Sequence, residues 1–267
     1  MTNTIAFKWA AAAYFALSHK IEYLLLIFIL WQSNRFIFKN QALMLLLHHM
    51  EFILMIIFII AFLYAVILHE IAHGWTANYF GDDTAKVAGR LSLNPLVHID
   101  PIGSILVPLF LIVSQAGFLF GWAKPVPVNP YRLKGTNTSY RWVASAGIIT
   151  NLSLAVISAL VLKITTQMLG LDISNLGVIF FVQFFKINVI LAVFNAMPLP
   201  GFDGFNFLTT FSGFVEIIKK TPLSNPLFMA RYGLMLAILV LFLFMPVISW
   251  IFNFVFNIFV SIFGLYF

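Results

Sequence analysis

Residues 52–68 read FILMIIFIIAFLYAVIL, and HEIAH follows without a break at 69–73. Seventeen uncharged residues are about what a helix needs to cross a hydrocarbon core. This stretch therefore sets the class: a membrane helix carrying two histidines and a glutamate at its C-terminal end. The rest of the 267-residue chain agrees, being 62% hydrophobic and only 9% charged, with a mean hydropathy of +1.00. A soluble domain carries about 25% charge, so this inventory cannot build a water-exposed surface. Apolar runs recur to the C-terminus, which excludes a secreted protein with one cleavable signal. They are continuous rather than alternating, which points to helices and not to a membrane β-barrel.

The chain has no cysteine. Disulfides, thiolate zinc sites and cysteine nucleophiles are excluded, and any transition-metal site must draw on histidine and carboxylate. The net charge of +6 fits Lys and Arg gathered in cytoplasmic loops, and no nucleic-acid partner is read from it.

Within HEIAH, His69 and His73 stand four apart, so on a helix both rings project from one face and can bind one metal. Glu70 sits where it can take a proton from a water activated there. Zn2+ suits the pair: it lowers the pKa of water towards about 7 and accepts His and carboxylate ligands. A solvated helix face is the bland reading of an HExxH pattern. It fits poorly here, because two His and a Glu at the end of a membrane helix cost several kcal/mol unless paired or metal-bound.

Two histidines and a water leave tetrahedral zinc one protein ligand short. Asp172 and Asp203, with Asp100 and Glu216 at the margins, are the acids near membrane segments. Asp203 follows a run broken by Pro198 and Pro200 and flanked by Gly201 and Gly204. Irregular backbone is tolerated at membrane depth only where it lines a site. Capping of the next helix is the competing role for Asp203, and His98 is the rival third ligand.

HEIAH on a membrane helix, Ala146-Gly147-x-x-x-Asn151, and Asn195-x-x-Pro198-x-Pro200-x-x-Asp203-Gly204, in that order, resemble the site-2 protease family of intramembrane zinc metalloproteases. GRLSLNPLVHIDPIGSILVP at 89–108 and FGWAKPVPVNPYRL at 120–133 are similar to a bacterial and archaeal branch without a PDZ domain. The resemblance spans about residues 52–210. It implies zinc held by His69, His73 and Asp203, Glu70 as general base, and Asn151 and Asn195 as residues that steady the site or the substrate backbone. Interhelical hydrogen bonding is the plainer role for those two asparagines. The sequence departs from the family pattern at Ile148, Gly201, Phe202 and Phe205, which touches substrate fit and loop shape but no ligand.

The expected fold is an all-α membrane protein of about five to six transmembrane helices with a re-entrant segment near 102–122. Residues 1–49 form an N-terminal extension that reads as one weak membrane segment or an interfacial helix, and Met50 as a mis-assigned start is a further reading. Residues 50–210 form the metalloprotease core, and 211–267 a C-terminal helical hairpin of 227–245 and 247–267. HEIAH ends one helix and Asp203 follows another, so the two must run in the same direction to share a metal. That requires 102–122 to enter and return on one side, which its Gly, Pro, Ser and Gln content suits. Lys and Arg crowd the loops at 79–142 and 201–231 and are missing at 170–176, which places the active-site ends at the cytoplasmic face of a cell membrane.

The expected reaction is peptide hydrolysis in or next to a transmembrane segment of a membrane-protein substrate, within the lipid bilayer. An ion or small-solute transporter is one rival, although it should show broken helices in two related halves. An inactive scaffold retaining the zinc motif is another, and intact Glu70 argues against it.

Overall fold

The computed structural model describes residues 41–114, 123–135 and 137–265. Among the described residues every regular element is helical. The chain runs through α1 (Gln41–Tyr79), a short α2 (Thr84–Val87), α3 (Val107–Val113), α4 (Asn137–Lys163), α5 (Leu176–Asn195), α6 (Asp203–Leu208), α7 (Ser212–Lys219) and α8 (Pro226–Phe263). Among the described residues four stretches are long and apolar enough to cross a membrane: His49–Tyr79, Asn137–Met168, Leu176–Asn195 and Pro246–Phe263. The protein is an all-α membrane protein.

Packing follows from side-chain size. The buried face of α4 carries Ala144, Ala146, Gly147, Asn151, Ala155, Ser158 and Ala159. In lipid, helices associate through close packing, and small residues let backbones approach. Against this stripe lies α5, the most enclosed helix, buried continuously from Ile187 to Asn195. Ala155, Ala159 and Leu162 meet Val178, Phe185 and Val189 of α5 and Phe252 of α8. Ala61, Ala65 and Val66 of α1 meet Phe184, Ile187 and Leu191 on another side of α5. The outer faces stay apolar: Phe52, Met55 and Ile59 on α1, Val156 and Leu160 on α4, and Trp250 and Phe254 on α8 are exposed. That is the surface lipid would cover.

Contacts fix the relative directions. His69 meets Asn151 and His73 meets the Val143 carbonyl, so a step forward on α1 matches a step back on α4. These two helices are antiparallel. Seven residues join Met168 to Leu176, Asn151 meets Asn188, and Thr210 beyond α5 returns to Arg141 near the start of α4. Helix α5 is therefore antiparallel to α4 and parallel to α1, as the ligand argument required. The 80–136 connection leaves and returns at one end of the bundle, with the Lys134 N–H donating to the Phe80 carbonyl at 2.6 Å and that of Asn129 to Asp82 Oδ2 at 2.6 Å.

Two expectations need adjustment. The C-terminal hairpin is absent: Pro226–Phe263 is one helix with Pro246 inside it. Proline removes one rung of the helical ladder, but no Gly, Asn or Asp adjoins it to make a turn, and a break in apolar surroundings would strand several more backbone groups. Among the described residues the span-length helices number four, and residues 1–40, where a further segment was expected, lie outside the described residues. Finally, the boundary drawn at residue 49 falls inside α1. Of the expected re-entrant segment, Pro101–Val113 is helical and only about 20 Å long at 1.5 Å per residue, while 115–122 lies outside the described residues.

Candidate metal centre

Three buried side chains converge where α1, α4 and the turn after α5 meet. His69 Nε2 lies 3.1 Å from Asp203 Oδ2, His73 Nε2 lies 3.2 Å from the same oxygen, and the two Nε2 atoms are 3.2 Å apart. Among the described residues they form the one group of His, Cys, Asp or Glu able to hold a metal. Bonds of 2.0–2.1 Å to a tetrahedral zinc set its ligand atoms about 3.3 Å apart. The observed triangle is close to one face of that tetrahedron.

Proton positions make the same point. His69 Nδ1 lies 2.5 Å from Asn151 Oδ1 and His73 Nδ1 lies 2.7 Å from the Val143 carbonyl. Both partners accept, so each Nδ1 carries a hydrogen, and in a neutral ring the Nε2 lone pair then turns inward. Two lone pairs and a carboxylate oxygen then face one another at 3.1–3.2 Å, an arrangement that suits a cation at its centre. Metal-binding histidines typically show this outward N–H to an acceptor.

Local sequence explains the convergence. The ideal Cβ of a residue at 147 would lie 2.3 Å from His69 Cε1 and 2.5 Å from His73 Nε2, so only glycine lets α4 lie against both rings. Helix α5 stops at Asn195, and the following turn folds Asp203 back. Gly204 permits this, since a Cβ there would come 2.3 Å from the Ala196 carbonyl oxygen. Asp203 opens α6 but does not cap it; Phe202 stands at the cap position. Arg141 pins the far end of the turn, donating from Nε to the Thr210 hydroxyl at 2.8 Å and stacking over Phe211 at 4.1 Å.

Glu70 is buried beside the centre, and its Oε2 accepts from the Val126 N–H at 3.2 Å. Val126 lies in the irregular segment 123–129, between two prolines that lack donors. Arg90 Nη2 donates to the Lys124 carbonyl at 2.5 Å, fixing that segment. Burial holds the Arg90 guanidinium below its usual value, and the charge of Glu70 partly restores it.

The remaining sequence candidates separate. His98 stands outside the trio; its Nε2–H donates to the Ser92 carbonyl at 2.8 Å, and burial keeps its pKa low despite that bond. Asn151 is bound to His69. Asn195 is fully buried and donates to the Leu191 carbonyl at 2.8 Å. Asn188 had not been singled out, yet it is fully buried and its Oδ1 accepts from Asn151 Nδ2 at 2.8 Å. The available signal was an asparagine seven residues before Asn195 in a largely apolar helix, a residue type that marks interhelical bonding in membranes.

Known proteins give the centre a context. The chain is 38% identical over 154 residues to "Putative zinc metalloprotease YwhC" of Bacillus subtilis, a match spanning 56% of this chain and 66% of that protein. It is 32% identical over 157 residues to "Putative zinc metalloprotease Rip2" of Mycolicibacterium smegmatis, covering 57% of this chain and 56% of that protein. With Rip2 of Mycobacterium tuberculosis the identity is 29% over 203 residues, 75% of this chain and 72% of the relative. The first two matches thus span between about half and two thirds of the relatives' own length. No family model matches the chain, and no solved structure does. The cofactor is zinc, for which His69, His73 and Asp203 form a fitting donor set. With its relatives named as zinc metalloproteases, the chain belongs to the site-2 protease family.

Proposed function

We propose that the protein is an intramembrane zinc metalloprotease that hydrolyses peptide bonds in or next to transmembrane segments of other membrane proteins. The observation that carries this reading is the triangle of His69, His73 and Asp203, at 3.1–3.2 Å, with buried Glu70 adjoining His69 in a span-length helix. In this assignment the trio holds the metal and Glu70 is the general base. Zinc, when bound, supplies Lewis-acid polarisation of a carbonyl and acidification of water. Glu70 takes the proton of the attacking water, and the Val126 N–H keeps its carboxylate aimed. A substrate helix must unwind locally first, because its own hydrogen bonds shield the scissile carbonyl.

The experiment is zinc analysis of the detergent-purified chain together with cleavage of a model transmembrane peptide. Glu70→Gln should abolish cleavage while zinc stays near one per chain. Asp203→Ala should lose both, and His98→Ala should keep its zinc. Full activity in Glu70→Gln would remove the base assignment; an empty His98→Ala beside a filled Asp203→Ala would overturn the ligand set.

Orientation is part of the same proposal. The end of the bundle carrying 80–136 and 201–225 holds Lys86, Arg90, Lys124, Arg132, Lys134, Lys219 and Lys220, while the 169–175 turn at the other end has no Lys or Arg. By the positive-inside rule the former faces the cytoplasm of a cell membrane. Reporter tags inserted near Lys86 and near Lys134 should both read cytoplasmic, and tags on opposite sides would refute both the orientation and the re-entrant path of 102–122.

A further inference from the structure

His69 can bind metal through Nε2 only while its proton sits on Nδ1, and something must hold it there. Asn151 is the immediate partner, but an amide can present either oxygen or NH2, and the wrong face would demand the opposite tautomer. Asn151 Nδ2 donates to Asn188 Oδ1 at 2.8 Å. Asn188 has the same ambiguity, which the helix resolves: its Nδ2 donates to the Phe184 carbonyl at 2.7 Å. A carbonyl only accepts. Reading back from Phe184, every orientation in the chain follows, ending with Nδ1–H of His69 donating to Asn151 Oδ1 at 2.5 Å. Asn151 and Asn188 are fully buried and His69 nearly so, which leaves no room for water to substitute at any step.

We infer that Asn188 is a positioning residue for the metal centre, setting the tautomer of His69 through Asn151 from the Phe184 carbonyl. The inference rests on His69 being a zinc donor. Asn188 does not touch the donor atoms; it acts by removing the freedom of the amide that does touch His69. Asn195 offers a contrast on the same helix. It makes the same bond to the carbonyl four residues back, at 2.8 Å, but its Oδ1 has no hydrogen-bond partner, so it relays nothing to either ring. With leucine at 188, Asn151 loses its acceptor and is free to turn its NH2 towards His69, which drives the ring proton to Nε2 and into the centre. His73, oriented directly by a backbone carbonyl, keeps its tautomer.

The test uses the full chain purified in detergent, with Zn2+ affinity measured by chelator competition and Co2+ absorption as a second readout of the ligand field. Asn188→Leu should weaken zinc about 10–100-fold, the range for loss of such outer partners, and Asn151→Leu should weaken it similarly. The double variant should be no weaker than the weaker single, because one break already severs the relay. Asn188→Asp should stay within threefold of the parent. As a neutral acid in apolar surroundings it keeps an acceptor for Asn151 and a donor for Phe184, and it guards against simple misfolding of the leucine variant. Zinc affinity within twofold of the parent for Asn188→Leu, multiplying effects in the double variant, or an Asn188→Asp as weak as Asn188→Leu would each overturn the relay. A parent chain that binds no zinc would overturn the metal assignment itself, and the relay with it.

Discussion

The two histidines of the centre are held in different ways. His73 sits at the outer turn of the pair, where α4 comes close enough for its Nδ1 to reach the Val143 carbonyl at 2.7 Å. His69 lies one turn deeper. Its Nδ1 meets Asn151, and two amide side chains separate it from the Phe184 carbonyl that settles its orientation. Both arrangements end on a helix backbone, but one is direct and the other passes through residues that mutation can change. Orientation by backbone survives any side chain that keeps the helices in register, whereas orientation by side chains is specific and fragile. The deeper histidine also lies where α1, α4 and α5 all meet, so its relay ties the metal to the packing of three helices.

Gly147 offers the largest perturbation, because it supports both histidines at once. Alanine is favoured over glycine in a helix by about 1 kcal/mol, so propensity alone would make Gly147→Ala stabilising. Sterics decide otherwise: a Cβ 2.3 Å from His69 Cε1 and 2.5 Å from His73 Nε2 forces α4 away from α1 or drives both rings off their rotamers. Zinc content should fall from about one per chain to under about a tenth, with both sides of the centre failing together. A Gly147→Ala protein that kept stoichiometric zinc would show that α4 does not lie against the rings, and the contrast between the two histidines would lose its basis.

Legibility in the sequence followed the same division. HEIAH, the Pro198–Pro200 break and Asp203 are side-chain signals, and from them the sequence anticipates the convergence of His69, His73 and Asp203 and the parallel course of α1 and α5. Asn151 was legible for the same reason. The Val143 carbonyl and the Val126 N–H were not, because nearly every residue supplies those groups and only the fold selects which ones face a ligand. Asn188 fell between: its side chain was visible, but its two partners, Asn151 on α4 and the Phe184 carbonyl on its own helix, were not. The C-terminal hairpin was misjudged because a proline was weighed as a breaker without counting the turn residues missing around it. Apolar surroundings penalise a stranded backbone group more than they penalise one lost rung.

The smallest expected effect sharpens the contrast most. Val143 is buried at the start of α4 and contributes to His73 only its carbonyl. Val143→Ala removes two methyl groups, and with them part of the close packing that holds helices together in lipid. The backbone carbonyl remains, and alanine is a better helix former than valine, so the segment should keep its path. Thermal stability in detergent should therefore drop while zinc affinity stays within about twofold of the parent. Asn151→Leu should show the reverse weighting, with zinc affinity falling at least tenfold, because it removes the acceptor itself. Comparing the two variants by chelator competition separates orientation by main chain from orientation by side chain. If Val143→Ala loses zinc as severely as Asn151→Leu, then His73 depends on side-chain packing after all, and the two histidines are held alike.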